Sequence, residues 1–373
     1  MIIKSLFISN FRNFDQLQID FSEKVNIFVG DNGQGKTNIL EAIYLLIEGE
    51  SFRYSKTETL IQLSKYQSLI KSQIENQNLD YSVRLQISGA KKELALNEKK
   101  VSQEKLNLPP VVLFSPESLS IIKESSDERR KLIDQLVMQI NRNGRRILQD
   151  FRRALKTRNK ILKDIATDRI DKVLGLETLL SVNPSFLRLA AEVTMLRIGA
   201  LLDIKNEVEK SLSQIHNKVA VKFDYEYIIS QQNHKNSNLD EIIFALQKRM
   251  KELEPAEMQS GGSLVGPQKH DVIFLYDGND SRFYCSQGQQ RSIILAFKMA
   301  QIVYHHRVHG FYPVLLLDDV LSELDLSKQE SLISTLNQTE TQTFVTTTDV
   351  SLISKLSLRN SRVFKIKNGQ ILV

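Results

Sequence analysis

Apolar and polar positions alternate near the start of the chain and again after residue 80. Leu17, Ile19 and Phe21 are separated by polar residues, which predicts half-buried antiparallel strands within residues 1–24. Residues 81–87 alternate in the same way, and a second strand is predicted over residues 93–96, after a turn at residues 88–90. We therefore expect a small β-meander in this part of the chain.

Between these two regions the pattern changes from a strand to a helix. Residues 25–29 form a short, mainly apolar run that is too short for a stable helix and predicts a buried strand. After a glycine-rich loop, apolar residues recur at helical spacing from Ile39 to Ile47, and Gly49 is the expected C-terminal cap. The sequence thus predicts a strand, a loop and a helix in immediate succession.

The middle of the chain is predicted to be mainly helical. Over residues 127–165, an apolar stripe that includes Leu148, Phe151, Leu155 and Leu162 runs about a third of a turn from a basic stripe. Further helices are predicted over residues 183–215 and 239–253, with a possible strand at residues 219–225 between them. The basic stripe consists of Arg145, Arg152, Lys156, Lys160 and Lys163.

Short strand patterns return after residue 260. Residues 272–276 and 282–285 are predicted to form a hairpin, followed by a helix over residues 289–306. Residues 314–317 and 344–347 are expected to share a mostly parallel sheet with residues 25–29. This pattern predicts an α/β fold in which residues 1–115 and 260–373 form one head, with an antiparallel β subdomain, and residues 116–259 are a mainly helical inserted domain.

Composition narrows the class of protein. With 41% hydrophobic residues among 373, the chain can bury a sizeable core. Its net charge of +6 is compatible with a nucleic-acid partner, although such an excess is also common in proteins without one. Cys285 is the single cysteine, and no apolar run approaches the roughly 20 residues of a membrane-spanning helix. We therefore expect a cytoplasmic protein with no membrane partner and no disulfide framework.

The loop after residue 29 matches the phosphate-binding pattern G-x-x-x-x-G-K-[ST]. Its glycines let successive backbone N–H groups surround an anion at the helix N-terminus. Lys36 would supply a positive charge to the β- and γ-phosphates, and Thr37 a hydroxyl ligand to Mg²⁺. The predicted nucleotide-binding residues of this segment are Gly30, Asp31, Asn32, Gly33, Gln34, Gly35, Lys36, Thr37 and Asn38.

A second chemical signal is the apolar strand that ends in Asp318 and Asp319. A carboxylate at this end of a strand lies beside the phosphate loop in such sheets, so Asp318 is the second predicted Mg²⁺ ligand. Asp319 could polarise the water that attacks the γ-phosphate, which makes Lys36, Asp318 and Asp319 the predicted catalytic residues. The alternative is a strand capped by two solvated acids.

A third signal is the sequence SQGQQ, residues 286–290, which precedes a helix of small and apolar residues. Ser286 as an N-cap, Gly288 and the helix dipole would make a second anion site, in which Gln289 also takes part. The alternative is that this segment only caps a helix.

Together these motifs resemble the ABC-type ATPase heads of the SMC family. The phosphate loop, SQGQQ, LLLDD and SELD follow in the order of the family's Walker A, signature, Walker B and D-loop. In that family the signature of one subunit closes over the ATP bound by the Walker A segment of another. The resemblance implies ATP and Mg²⁺ as cofactors and an ATP-dependent homodimer in which Ser286, Gly288 and Gln289 act in trans.

The match narrows to the RecF family, the bacterial recombination-mediator ATPases. It is carried by SLFISNFRNFDQLQIDF, GDNGQGKTNILEAIYLL, FSPESLSIIK, RRKLID, ALKTRNKIL, SQGQQRSIILAFKMA, LLLDDVLSELD and TFVTTTD. By this resemblance Arg12 and Asn13 lie near the nucleotide, and Thr347 and Thr348 occupy the switch region where many ABC ATPases have His. Asp319 is shorter than the usual glutamate, which implies slow hydrolysis with ATP acting as a clamp.

Two segments depart from that family's pattern. Residues 266–271 read GPQKHD where GPHRDD or a similar sequence is usual, and residues 123–126 lack the usual glycine and proline before Arg129 and Arg130. Both departures concern local loop conformation, and neither concerns the nucleotide residues.

The resemblance implies an ATP-dependent DNA-binding recombination mediator. Such a protein grips single- and double-stranded DNA at gaps and promotes RecA loading with RecR and RecO, in replication, repair and the SOS response. Basic residues that could neutralise DNA phosphates are Arg129, Arg130, Arg145, Arg152, Lys156 and Lys160. A solvated helix face is the alternative interpretation of the basic stripe.

Two other classes of protein remain as alternatives. The nucleotide-binding subunit of an ABC transporter shares the phosphate chemistry, but it lacks the long helical insertion and the FRN start. The head of a long coiled coil would need sustained heptads, which this sequence does not contain.

Overall fold

The computed structural model describes residues 1–53, 55–76, 79–103, 106, 108, 110–141, 143–216, 221–349 and 361–372. The chain divides into two compact units. The first comprises residues 1–119, 214–216 and 298–373, and the second comprises residues 120–213 and 217–297. The predicted boundaries lie after residues 115 and 259. The main difference is that residues 260–297, which the sequence predicts to belong to the head, lie in the second unit.

The strands and helices are numbered in chain order. The strands are β1 (Ile2–Phe11), β2 (Phe14–Asp20), β3 (Val25–Val29), β4 (Gln67–Asn76), β5 (Leu79–Ser88), β6 (Lys91–Leu96), β7 (Lys99–Val101), β8 (Val111–Phe114), β9 (Phe223–Ile229), β10 (Gln232–Asn233), β11 (Asp271–Tyr276), β12 (Asn279–Asp280), β13 (Val314–Asp318), β14 (Thr343–Thr347), β15 (Ser361–Lys367) and β16 (Gln370–Leu372). The α-helices are α1 (Lys36–Glu48), α2 (Pro116–Leu119), α3 (Ser126–Ile140), α4 (Gly144–Ala166), α5 (Lys172–His216), α6 (Leu239–Ser260), α7 (Ser281–Tyr284), α8 (Gln287–His309) and α9 (Leu326–Gln338).

The first unit contains two six-stranded sheets. One is antiparallel, in the order β2-β1-β4-β5-β6-β7, so the predicted N-terminal strands and the predicted β-meander join in a single sheet. The other has the order β16-β15-β3-β14-β13-β8, and β3 is parallel to both β14 and β15. The prediction that residues 25–29, 314–317 and 344–347 share a mostly parallel sheet is therefore confirmed.

Helix α1 lies at the centre of the first unit's hydrophobic core. Its side chains from Ile39 to Ile47 are buried, and they share one core with residues from both sheets, among them Leu6 and Phe344. A helix that is apolar on almost every side is stable only when neighbours cover it all round. Gly49 ends the helix in the left-handed conformation, and its N–H donates to Leu45 O at 2.9 Å, as the sequence predicts.

The predicted helix over residues 127–165 is divided into α3 and α4 in the second unit. Gly144 begins α4 so close to the end of α3 that a Cβ there would lie 2.7 Å from Val137 O. This close approach explains the break, which helical periodicity alone does not reveal. Helix α5 begins at Lys172 rather than near residue 183, and it continues through Pro184. Burial of Leu179 against Leu162 and Ile165 stabilises this additional N-terminal part.

The prediction of a hairpin formed by residues 272–276 and 282–285 is wrong in its second strand. Strand β11 pairs with only two residues of β12, and residues 281–284 form the short helix α7. The Asp280 side chain accepts a hydrogen bond from Arg282 N at 2.9 Å and caps this helix. Strand β11 instead pairs along its length with β9, which begins at Phe223; residues 217–220 lie outside the described residues.

Candidate functional site

The phosphate-type loop connects β3 to α1 at the carboxyl edge of the parallel sheet. Gly30 lies so close to β15 that a Cβ there would be 2.3 Å from Ile366 O. Gly35 has φ +109°, in the region that favours glycine, and lies against Asn13. Asp31, Asn32 and Gly33 are exposed at the tip of the loop. The glycines thus fix a tight loop with its outer face open.

Lys36 is folded back onto its own loop. Its Nζ donates to Gly30 O at 2.6 Å and to Asp31 O at 2.9 Å, and the residue is 6% exposed. Burial lowers the pKa of Lys36 below its ordinary value of 10.5, against the opposing charges of Asp319, Asp318 and Asp31. A buried ammonium held by two carbonyl oxygens gains from an anion placed beside it.

Thr37 and Asp318 meet across the sheet edge, although 281 positions separate them in sequence. The hydroxyl of Thr37 donates to Asp318 Oδ1 at 2.7 Å, and the hydroxyl of Thr346 donates to the same oxygen at 2.8 Å. Burial raises the pKa of Asp318 above its ordinary value of 3.8, in opposition to these two hydrogen bonds. Two hard oxygen atoms, of the kind that divalent cations prefer, therefore lie side by side.

Asp319 follows in a left-handed conformation, with φ 49°. Its N–H donates to Thr346 Oγ1 at 2.9 Å, so the Thr346 hydroxyl connects both acidic residues. Burial raises the pKa of Asp319, and the charge of Lys36 opposes this shift. Among the described residues, none donates a hydrogen bond to the buried Oδ1 of Asp319.

The sequence did not single out Thr346. The signal was present, because a hydroxyl residue at the end of a buried strand must find a hydrogen-bond partner. The neighbouring residues of the predicted switch region, Thr347 and Thr348, are buried and exposed respectively at the end of β14.

Arg12 is held by α1. Its Nε and Nη2 donate to Glu41 at 2.9 and 2.7 Å, and Nη2 also donates to Ser55 Oγ at 2.6 Å. Glu41 is fully buried and accepts a further hydrogen bond from Ser51. Sequence reasoning missed Glu41, because a charged residue inside an apolar helical repeat looks solvent-exposed until its partner is known.

A chain of amides joins the start of β2 to the loop. Asn13 Nδ2 donates to Gln34 O at 3.1 Å, and Asn38 Nδ2 donates to Asn13 Oδ1 at 2.8 Å. Arg53 in turn donates to Asn38 Oδ1 at 3.0 Å. These residues, Gln34 excepted, line one end of an open cavity of about 850 Å³, which extends to Leu63 and Tyr66. The structure thus brings Arg12 and Asn13 to the edge of the phosphate-type loop.

The residues of the SQGQQ segment begin α8 and belong to the second unit. Ser286 N donates to Gln289 Oε1 at 2.8 Å, and Gln289 N donates to Ser286 Oγ at 3.2 Å. This reciprocal pair is a capping box. The Ser286 hydroxyl accepts a hydrogen bond in that pair and can still donate its own hydrogen to an anion. Gly288 has no side chain that would block access to the helix N-terminus. Capping and anion binding are therefore compatible in this segment.

The predicted DNA-contacting residues fall into two groups. On α4, Arg152, Lys156 and Lys160 are exposed and Arg145 is half-buried. On α3, by contrast, the two arginines are buried: Arg129 is 4% exposed and pairs with Asp271, while Arg130 is 8% exposed and binds His270 O and Asp127. Burial makes these two side chains unsuited to direct contact with a phosphate.

The two sheets around α1, the loop, the acidic strand end and the helical second unit define an ABC-type ATPase head of the SMC-like class. In the described part of the chain, no helix combines the length and the apolarity needed to cross a bilayer.

Comparison with known proteins identifies the family. Residues 2–371 match the model of the RecF/RecN/SMC N-terminal domain. The chain is 34% identical to the DNA replication and repair protein RecF of Alkaliphilus oremlandii, over 100% of both chains. It also resembles the solved structure of the recombination mediator protein RecF-ATP in the RecFOR pathway, with 31% identity, a TM-score of 0.87 and coverage of 99% of this chain and 96% of that chain.

The Smc head domain from Pyrococcus furiosus shares the fold alone, at 15% identity and a TM-score of 0.54 over 99% of this chain and 95% of that one. The full-length match at 34% identity, together with the family model over residues 2–371, shows that the chain belongs to the RecF family. Full-length similarity to a DNA replication and repair protein sets aside the alternative of a transport ATPase subunit.

Proposed function

We propose that this protein binds ATP with Mg²⁺, dimerises around two nucleotides and holds DNA in that state. The observation that carries the proposal is the Thr37 hydroxyl 2.7 Å from Asp318 Oδ1, directly beside the loop that contains Lys36. The relative RecF-ATP supports ATP as the nucleotide. The pathway of that relative, RecFOR, and the name that the relatives share support a role in DNA replication and repair.

The donor set fits Mg²⁺. Thr37 and Asp318 would hold the ion, since a hydroxyl and a carboxylate oxygen are ligands that Mg²⁺ prefers and it usually keeps several waters besides. When bound, the ion would neutralise charge on the β- and γ-phosphates. Lys36 would leave the two carbonyl oxygens that it now contacts and donate to phosphate oxygens instead. The unsatisfied Oδ1 of Asp319 is suited to orient and polarise the attacking water.

We infer that hydrolysis is slow and that ATP acts mainly as a switch. Asp319 has a shorter side chain than glutamate, and the hydrogen bond from its backbone N–H to Thr346 Oγ1, 2.9 Å long, fixes the backbone from which it projects. Its carboxylate therefore reaches less far toward a water molecule than that of a glutamate would. Asn13, Asn38 and Arg12 border the loop and would contact the nucleotide, while Ser286, Gly288 and Gln289 would close over the nucleotide of a second copy.

The DNA surface of the proposal is the face of α4 with the exposed Arg152, Lys156 and Lys160 and the half-buried Arg145. These side chains would contact phosphates rather than bases, which favours recognition of DNA structure over sequence. In the cell, we propose that the ATP-bound dimer acts in the cytoplasm at single-strand gaps and promotes RecA loading together with RecR and RecO, with a role in the SOS response.

The test is the mass of the protein in solution with and without ATP and Mg²⁺, repeated with a gapped duplex. The expected result is an ATP-dependent dimer that retains the DNA. Lys36→Met should weaken nucleotide binding at least tenfold and abolish dimerisation. Ser286→Arg should bind ATP as a monomer and fail to dimerise. A wild-type protein that stays monomeric at saturating ATP would refute the proposed clamp.

A further inference from the structure

Charged side chains fix the turn that leads into the SQGQQ segment. Arg282 on α7 donates to Asp280 Oδ2 from Nη2 at 2.7 Å and from Nε at 3.1 Å. Its Nη1 donates to Asp271 Oδ2 at 3.2 Å. Asp280 also caps α7 through Arg282 N. The guanidinium therefore ties the turn to the first residue of β11, and its hydrogen bonds to Asp280 raise the pKa of Arg282.

Asp271 extends this connection to α3. Arg129 donates to both oxygens of Asp271, at 2.9 Å each, in a bidentate pair. Its Nη1 donates to Ile122 O at 3.0 Å and to Glu124 O at 2.7 Å. These four hydrogen bonds hold the guanidinium, and Arg129 is almost completely buried. Helix α3 packs against both α4 and β11, so the Arg129–Asp271 pair connects the helix beside α4 to the strand that precedes the turn.

Gln290 also holds this turn. This residue is 4% exposed, and its Nε2 donates to Ser281 O at 2.7 Å and to Cys285 O at 3.3 Å. Gln289, one position earlier, forms the capping pair with Ser286. The last glutamine of SQGQQ therefore holds the turn in place, whereas Ser286 and Gln287 are exposed at the helix N-terminus.

We propose that Arg282 is a positioning residue for Ser286, and that the chain Arg129–Asp271–Arg282–Asp280 transmits DNA binding on α4 to the SQGQQ segment. Charge-assisted hydrogen bonds in a poorly solvated setting resist displacement, so a shift of α3 moves the turn instead of breaking the chain. This inference rests on the proposed function, because it requires ATP-dependent dimerisation and DNA contact at α4. DNA binding and dimerisation are then thermodynamically coupled: bound DNA raises the affinity between the two subunits, and dimerisation raises the affinity for DNA.

The test compares Arg282→Gln with Arg249→Gln, which removes the same charge from an exposed pair with Glu252 on α6. Four quantities are measured: the melting temperature, the ATP affinity of the monomer, the affinity for a gapped duplex without nucleotide, and the dimer dissociation constant with ATP and Mg²⁺, with and without that duplex. Arg282→Gln should leave both binding affinities within twofold of wild type. Its ATP-dependent dimer should be at least tenfold weaker, and DNA should no longer strengthen it.

Arg282→Lys keeps the charge and should restore part of the ATP-dependent dimer affinity. Asp271→Asn should, like Arg282→Gln, abolish the strengthening of the dimer by DNA. A purely structural role predicts instead that the melting temperature and all three affinities fall together, which would overturn the inference. Unchanged dimerisation and linkage in Arg282→Gln would overturn it as well. If the wild type does not dimerise with ATP, the proposed function fails first and this inference fails with it.

Discussion

Thr346 shows at the scale of one residue how the site is assembled. Its hydroxyl donates to Asp318 and accepts from the N–H of Asp319, so one side chain on β14 fixes both acidic residues at the end of β13. Parallel pairing places Thr346 directly opposite Asp318. The positions of the two carboxylates therefore depend on a neighbour that carries no charge.

Thr346→Val should separate this role from packing, because the two side chains have similar volumes. Loss of the hydroxyl leaves buried polar groups unsatisfied, which costs about 1–3 kcal/mol in the free energy of unfolding. We also expect ATP hydrolysis to fall at least tenfold. The measurements are chemical denaturation and steady-state hydrolysis. Thr335→Val is the control, since among the described residues that hydroxyl bonds to Ser331 O alone, within α9. Equal effects of the two substitutions would contradict the assignment.

The raised pKa of Asp318 predicts a pH dependence of stability. In a nucleotide-free protein, burial disfavours the charged carboxylate, so the folded state binds its proton more tightly than the unfolded chain does. Stability is then lost as pH rises from about the ordinary value of 3.8 through the raised pKa. Asp318→Asn should therefore raise the melting temperature at pH 8.

This stabilisation by Asp318→Asn should shrink as the pH is lowered toward 4, where the wild-type carboxyl becomes neutral as well. Thermal unfolding between pH 4 and pH 8 tests this, and Asp15→Asn, at an exposed site on β2, provides the matched control. A gain that is independent of pH, or a loss at pH 8, would show that the charge of Asp318 is well accommodated.

At the scale of elements, contacts between helices and strands decide where each element begins and ends. The helical pattern continues across residues 141–143, yet α4 starts at Gly144 against Val137. Similarly, residues 282–285 have a strand-like sequence, but the Asp280 cap and the two carboxylates around Arg282 favour a helix. Local propensity is worth a few tenths of a kcal/mol per residue, and such contacts exceed it.

Gly144→Ala tests this explanation of the α3–α4 break. Alanine has the higher helix propensity, which alone would stabilise the protein by up to about 1 kcal/mol, the value for a helix interior. We expect the opposite, a loss of about 1–3 kcal/mol, because the new Cβ would lie 2.7 Å from Val137 O and force a backbone shift. Gly199→Ala in α5 is the control, since a Cβ there meets no atom within 4 Å among the described residues. Denaturant unfolding should give opposite signs for the two.

At the scale of the whole molecule, the distribution of charge matters more than the net +6. Part of the positive charge is buried inside the second unit and neutralised there by ion pairs. These pairs are Arg129–Asp271, Arg158–Glu257 and Arg197–Asp134. The exposed basic residues of α4 are a separate group. Only such solvated cations can release counterions from DNA when they bind.

Reversing two of these charges, in Arg152→Glu with Lys156→Glu, should weaken binding to a gapped duplex at least tenfold at low salt. The slope of log affinity against log salt concentration should become shallower by roughly 1 for each phosphate that the protein no longer neutralises. Fluorescence titrations over a range of salt concentrations provide both quantities. Lys248→Glu with Lys251→Glu makes the same charge change on exposed positions of α6. Equal slopes for the two double variants would contradict a DNA contact at α4 and support the alternative that its basic stripe is only a solvated helix face.

The sequence by itself determined the parts of this protein whose signal is local. The strand-loop-helix around Gly30–Thr37, the acidic strand end and the alternating N-terminal strands all depend on residues close together in the chain, and so does the Ser286 cap. Only the tertiary structure decided which distant groups meet. It paired Arg12 with Glu41, placed Thr346 between two aspartates, buried Arg129 and separated α3 from α4. These outcomes depend on burial and on partners far away in sequence, which periodicity and spacing do not encode.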